Sequence, residues 1–447
     1  MITREQLEEE RGDAAGLERL YRQALATAGE PSFREQLARS AQAHPEDTLL
    51  KAWTYRLDLR PLPATPTQSA SNPQTRYWAL ALAGSAAMGL LALLCAGNRP
   101  PIPVPQVASP FFWIGWAPLT GLGLLAYLAL QGSAVRPAQR LGRCGLPGLF
   151  IALIAWYAAL AFWDRTDQLA ELIALHLPFV AWAAVAAGVS LSHADAQEQL
   201  HAFTVKSVEI LITAGLYFGT WMAFVGLTCG IFAVLGFKPP PELIHALAAW
   251  GTGAVPLLAL ASVTDPSRTP AAQRWDTGLA RLLRILTRIF LPLALAVLAV
   301  YVCWFIPAYF WRPFQEREVL IVYNATTLAI LALMTAALAD PGETRSPAQD
   351  TALRWQLLAL AGLTLVLNLY ALAAILSRTL NYGLTPNRYA VLGWNLVTLL
   401  MLGTVLAGQW RTRGKDWSGV WRSTLGQGAA LAALWALWVI VGLPWTL

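Results

Sequence analysis

The chain has 447 residues, of which 56% are hydrophobic and 13% charged, with a formal net charge of +6. A soluble domain carries nearer a quarter charged residues, so this deficit excludes an ordinary soluble globular protein. Repeated apolar runs of about 20 residues point to a polytopic membrane protein, and the positive charge is then assigned to Arg-rich cytoplasmic loops, with no nucleic acid as partner.

The N-terminus, MITREQLEEERGD, is charged and has no apolar core, so no cleavable signal peptide is expected. Residues 1–60 read as a small helical domain on the cytoplasmic side. Leu7, Leu17, Leu20, Tyr21 and Leu25 recur at helical spacing, as do Leu49, Leu50, Trp53 and Leu57. This domain offers a surface for a cytoplasmic protein partner. Residues 61–76, beginning PLPATPTQSASNPQT, are rich in Pro, Ser and Thr and read as a linker.

Residues 77–447 read as an all-α transmembrane domain of about 11 helices. Span length places them near 78–96, 111–130, 146–163, 169–191, 208–235, 243–263, 285–306, 319–338, 357–376, 390–409 and 427–445. With the N-terminus in the cytoplasm, the inward connectors hold about twice the Arg and Lys of the outward ones, as the positive-inside rule requires. Lys206, Arg354 and Arg422 are counted among the inward connector residues. The C-terminus then lies outside, and the expected location is a bacterial inner membrane. Membrane lipids are the expected partners.

The connectors VRPAQR, SRTPAAQR and TRSPAQD echo one another, through a tandem repeat or through shared loop chemistry. Arg274, Arg281, Arg284 and Arg288 fall on one helical face. They are candidates for anionic lipid contact, or simple helix anchors.

No catalytic motif, phosphate loop or dinucleotide fingerprint is present in the sequence. Cys95, Cys144, Cys229 and Cys303 show no metal-ligand spacing with one another or with the five histidines, so neither a metal nor another cofactor is expected. Membrane acids for ion coupling are scarce, since Glu171, Glu209 and Asp265 fall near span ends in this reading.

Polar residues concentrate in the last spans. Asn324, Asn368 and Asn395 lie in three successive apolar runs, each with Thr327, Thr364 or Thr398 on its own face. At 1.5 Å per residue all three amides sit roughly 8–12 Å below the outer helix ends. Amides at that depth meet one another or a wet cavity. Above them lies NYGLTPNRY, residues 381–389. Gly383 permits a positive φ, Thr385 is a good N-cap, and Pro386 suits the first helical position. Arg388 then falls in a first turn, where a cation opposes the helix dipole. A bound anion would reverse that sign, whereas snorkelling beside Tyr389 would need no ligand.

YGLTPNRY followed by Trp394-Asn395 resembles the motif of bacterial multi-pass membrane proteins grouped as domain-of-unknown-function family 4153 and its relatives. The resemblance covers residues 320–410. It implies an inner-membrane protein and brings no reaction or ligand with it. The leading expectation is a binding or transport module for an anionic small molecule or lipid headgroup, with an outward-facing site of Tyr382, Thr385, Asn387, Arg388, Asn324, Asn368 and Asn395. Two alternatives stay open: a membrane enzyme modifying envelope lipids or glycans, with Glu316, Glu318 or Asp164 as base, and a sensor or scaffold signalling through residues 1–60.

Overall fold

The structure is a computed structural model describing residues 4–10, 12–27, 29–44, 46–57, 73–97, 110–131, 137–162, 168–191, 193, 195–237, 239–265, 268–273, 278–338, 345–412 and 416–446. The described residues are helical, with no strand among them. The chain divides into two compact units, Met1–Pro73 and Gln74–Leu447.

The first unit holds α1 (Arg4–Glu9), α2 (Ala14–Ala26), α3 (Glu30–Ala43) and α4 (Thr48–Arg56). Asp13 caps α2 by accepting the Ala15 N–H, and Asp47 accepts the N–H groups of Leu49 and Leu50 at the start of α4. Leu7, Leu17, Phe33, Leu37, Leu50 and Trp53 form one core. Leu25, expected on the packed face, is 49% exposed, and its neighbour Ala24 is buried instead. The α2 stripe runs through Leu17, Leu20, Tyr21 and Ala24, and a fifth position falls off its edge. The expected linker lies almost wholly outside the described residues.

Arg56 ties α4 to α2: its guanidinium bonds Glu18 and lies 4.4 Å from the centre of the Trp53 ring. Hydrogen bonds from Arg56 and then Arg22 hold the Glu18 carboxyl below its ordinary value. A carboxylate favoured by the fold stabilises it above the unfolded pKa, and that contribution fades as pH falls through the lower folded value. Hydrogen exchange of residues 14–57 in the full chain should therefore be faster in Glu18→Gln than in the parent at neutral pH. The difference should close as the pH falls through the lowered folded value.

The second unit holds the long helices: α5 (Pro73–Ala96), α6 (Pro110–Gln131), α7 (Pro137–Phe162), α8 (Gln168–Ser190), α9 (Ala196–Val234), α10 (Pro241–Val263) and α11 (Gly278–Val300). α11 runs through a π-helical turn, Tyr301–Phe305, into the short α12 (Ile306–Ala308) and α13 (Arg312–Gln315). Then come α14 (Arg317–Ala337), α15 (Pro347–Tyr382), α16 (Pro386–Arg411), α17 (Trp417–Val441) and the terminal turn α18 (Leu443–Thr446). Among the described residues, eleven helices are long and apolar enough to cross a membrane. Large apolar side chains such as Leu94, Leu216, Leu227 and Trp156 lie exposed, while Asn368, Asn395, Lys206 and Glu209 are buried. That inversion suits a hydrocarbon solvent, in which polar groups must find partners inside the bundle.

Three helices, α9, α15 and α17, start ten or more residues before the apolar windows suggest. α17 begins at Trp417 rather than near 427, because Asp416 accepts the Gly419 N–H and caps it. α9 begins at Ala196 rather than near 208, and its first turns are buried through Gln199, His201, Phe203, Lys206 and Glu209. Lys206, Arg354 and Arg422, expected in connectors, are therefore helical residues of α9, α15 and α17. Glu209, expected near a span end, lies more than three turns inside α9 and is 2% exposed. α8 packs against α6, α7, α9, α16 and α17, while α11, α14 and α15 form a neighbouring trio.

Candidate functional site

The turn between α15 and α16 holds the NYGLTPNRY segment. Gly383 ends α15 with φ 79°, a left-handed conformation that a side chain would strain. Thr385 is the N-cap of α16: its Oγ1 accepts the Arg388 N–H at 3.3 Å, and its carbonyl accepts the Tyr389 N–H at 2.9 Å. Pro386 fills the first helical position, where no N–H is needed. Arg388 Nη1 donates back to the Gly383 carbonyl, and the guanidinium lies 5.9 Å from the centre of the Tyr382 ring. Tyr382 is 71% exposed, and Asn387 is half-buried beside Arg388.

Below the turn, the three amides meet. Asn368 Nδ2 on α15 donates to Asn395 Oδ1 on α16 at 3.0 Å. Asn395 Nδ2 donates to Asn324 Oδ1 on α14 at 2.9 Å and to its own Val391 carbonyl at 2.8 Å. Asn324 Nδ2 ends the chain on the Leu320 carbonyl. Asn368 and Asn395 are 1% and 2% exposed, and Asn368 Oδ1 has no partner. The hydrogen-bonding capacity of this trio is directed almost wholly to one another and to their own helices, which makes it a brace between α14, α15 and α16.

Trp394 extends the brace to α8. Its Nε1 donates to His176 Nε2 at 2.8 Å, and His176 Nδ1 donates to the Leu172 carbonyl at 2.6 Å. With Nε2 accepting, the imidazole is the neutral Nδ1–H tautomer. On the α17 side, the Trp435 ring fills the space above Gly393, where a Cβ would lie 1.8 Å from it, and Trp435 Nε1 donates to the Ala390 carbonyl. Trp438 Nε1 donates to the Tyr389 hydroxyl at 3.1 Å.

The structure thus joins the seven candidates as two neighbouring groups on α14, α15 and α16. Tyr382, Thr385, Asn387 and Arg388 belong to the turn, and the three asparagines to the brace. Of the basic face on α11, Arg288 is exposed. Arg274 and the side chains of Arg281 and Arg284 lie outside the described residues. Glu316 is placed 3.7 Å from Arg312. An apolar groove of about 300 Å³ lies among Cys95, Pro118, Leu122 and Trp156, and none of the candidate residues lines it.

A second polar region escaped the sequence reading. Lys206 Nζ lies 2.7 Å from Glu209 Oε2, with the two side chains 4% and 3% exposed. The available signal was an i, i+3 pair of opposite charges, with polar residues recurring at helical spacing from Gln199 to Thr213. Among the described residues, no group of three His, Cys, Asp or Glu side chains could hold a metal ion.

The fold and these polar braces define a membrane protein with many spanning helices. In comparisons with known proteins, no family model, no curated protein and no solved structure matches the chain.

Proposed function

We propose that the chain is a membrane binding or transport module that takes an anionic small molecule or lipid headgroup at the Tyr382 end of the bundle. The observation that carries this reading is Arg388. It sits in the first turn of α16, donates once to Gly383, and has no carboxylate or further acceptor among the described residues. An anion there would accept from the guanidinium and gain from the positive end of the helix dipole. Tyr382, Thr385 and Asn387 border the same mouth. In this reading Asn324, Asn368 and Asn395 position the mouth rather than touch the ligand. The resemblance to family 4153 and the distribution of Arg and Lys favour a bacterial inner membrane, with this mouth in the periplasm and residues 1–60 in the cytoplasm. The exposed Arg288 suits contact with anionic headgroups at the other end of the bundle.

Arg388→Gln should abolish retention of anionic lipid in native mass spectrometry while leaving the protein folded. Arg388→Lys should restore it only in part, because an ammonium lacks the bidentate fork. Thr385→Ala should cost about 1 kcal/mol of stability through loss of the cap, and weaken retention with it. Lipid retention and ligand-dependent melting that are unchanged in Arg388→Gln would leave Arg388 as an interfacial anchor.

A further inference from the structure

The opposite end of the bundle holds a cation in a different predicament. Arg422 lies in the second turn of α17, half-buried, with its Nε enclosed. It makes no hydrogen bond or ion pair with any described residue. His201, in the second turn of α9, is 3% exposed. Gly426, one turn after Arg422 on α17, brings the two helices together here: a Cβ on it would lie 4.0 Å from the His201 backbone nitrogen, and neither ring nitrogen of His201 has a hydrogen-bond partner. The same Cβ would lie 3.7 Å from the Gln197 carbonyl oxygen.

Three described carboxylates of this end are engaged elsewhere. Asp350 accepts from Trp417 Nε1 and lies 3.7 Å from Arg345. Glu209 pairs with Lys206, and Asp416 caps α17. Among the described residues, no carboxylate pairs with the guanidinium and none with the imidazole. Each enclosed donor left without an acceptor keeps its desolvation penalty. An oxyanion relieves both at once. The Arg fork takes two oxygens, and the imidazole N–H needs a third, which a phosphate has and a carboxylate lacks. Both residues sit roughly 8 Å inside their helix starts.

We propose that Arg422 and His201 bind a phosphate group at the α9–α17 seam, carried by a phospholipid headgroup or by a free phosphoryl solute. This site is at the far end of α16 from Arg388 and does not depend on it.

The test uses the full chain in neutral detergent, with melting as the readout. One arm adds phosphatidylglycerol in phosphate-free buffer, and the other adds inorganic phosphate without lipid. The parent should melt higher in at least one arm, and which arm responds identifies the source of the phosphate. Arg422→Gln should weaken the response about tenfold or more, as expected for a charge-assisted hydrogen bond removed. His201→Gln should weaken it less, and Arg411→Gln, an exposed cation on the last turn of α16, should leave it unchanged. Should Arg422→Gln fail to fold, Arg422→Lys decides, because it keeps the charge and lacks the fork. A parent that responds in neither arm overturns the site. So does a response that survives intact in Arg422→Gln, or in Arg422→Lys where that variant is the decisive one.

Discussion

Lys206→Met should be the most damaging single change in the bundle, lowering stability by about 3–5 kcal/mol. The substitution leaves the Glu209 carboxylate inside α9 at 2% exposure without the ammonium 2.7 Å away. Removing both charges, as in Lys206→Met with Glu209→Leu, should recover most of the loss, because two well-packed apolar side chains carry no desolvation penalty. Thermal melting of the four proteins of this cycle measures the coupling. A double variant as unstable as Lys206→Met alone would show that the pair does not act as a unit. The same cycle separates a stabilising role from a functional one: a double variant that folds well yet loses any ligand response would place the charges in the working part of the molecule.

Asn395→Leu should follow closely. Asn395 is the middle member of the amide chain, and its loss removes the acceptor of Asn368 Nδ2 and the donor to Asn324 Oδ1. Each buried amide left without its partner costs about 1–3 kcal/mol. Asn324→Ala should cost less, because Asn324 Nδ2 serves only its own helix and a single bond crosses to α16. Interhelical hydrogen bonds in membranes are individually weak, averaging about 0.6 kcal/mol. A cycle of Asn395→Ala with Asn368→Ala that shows no coupling by melting would therefore deny the brace its role. Asn368→Leu adds a further check: it removes the unpartnered Oδ1 together with the donor, so it should be milder than Asn395→Leu.

The contrast between these two regions shows what the sequence exposes and what it conceals. The apolar runs mark the spans directly, because a helix that faces lipid has few charged residues to hide. The meeting of Asn324, Asn368 and Asn395 was legible from depth alone, since amides at one level on neighbouring helices have few other partners. His176 was not legible as a partner of Trp394, because 218 positions separate them and only the packing of α8 against α16 joins them. The start of α9 was hidden for a different reason. Its buried stretch mixes Gln199, His201, Lys206 and Glu209 with Phe203 and Val205, so a hydropathy window reads as a connector what is the most enclosed stretch of that helix. The start of α17 was missed likewise, because WSGVWRST is polar while its Asp416 cap is a single residue.

The adjoining residues Trp394 and Asn395 reach across to α8 in one direction and to α14 and α15 in the other. α16 is thus riveted on two sides at a single level, like an axle keyed into its housing. That cross-bracing favours movement of this assembly as one block. Transport by alternating exposure of a site would then divide the protein into a stator of α8, α14, α15, α16 and α17 and a moving part drawn from the remaining helices. Distance measurements between spin labels on two stator helices should stay constant under every ligand condition, while pairs that span stator and mover report the stroke.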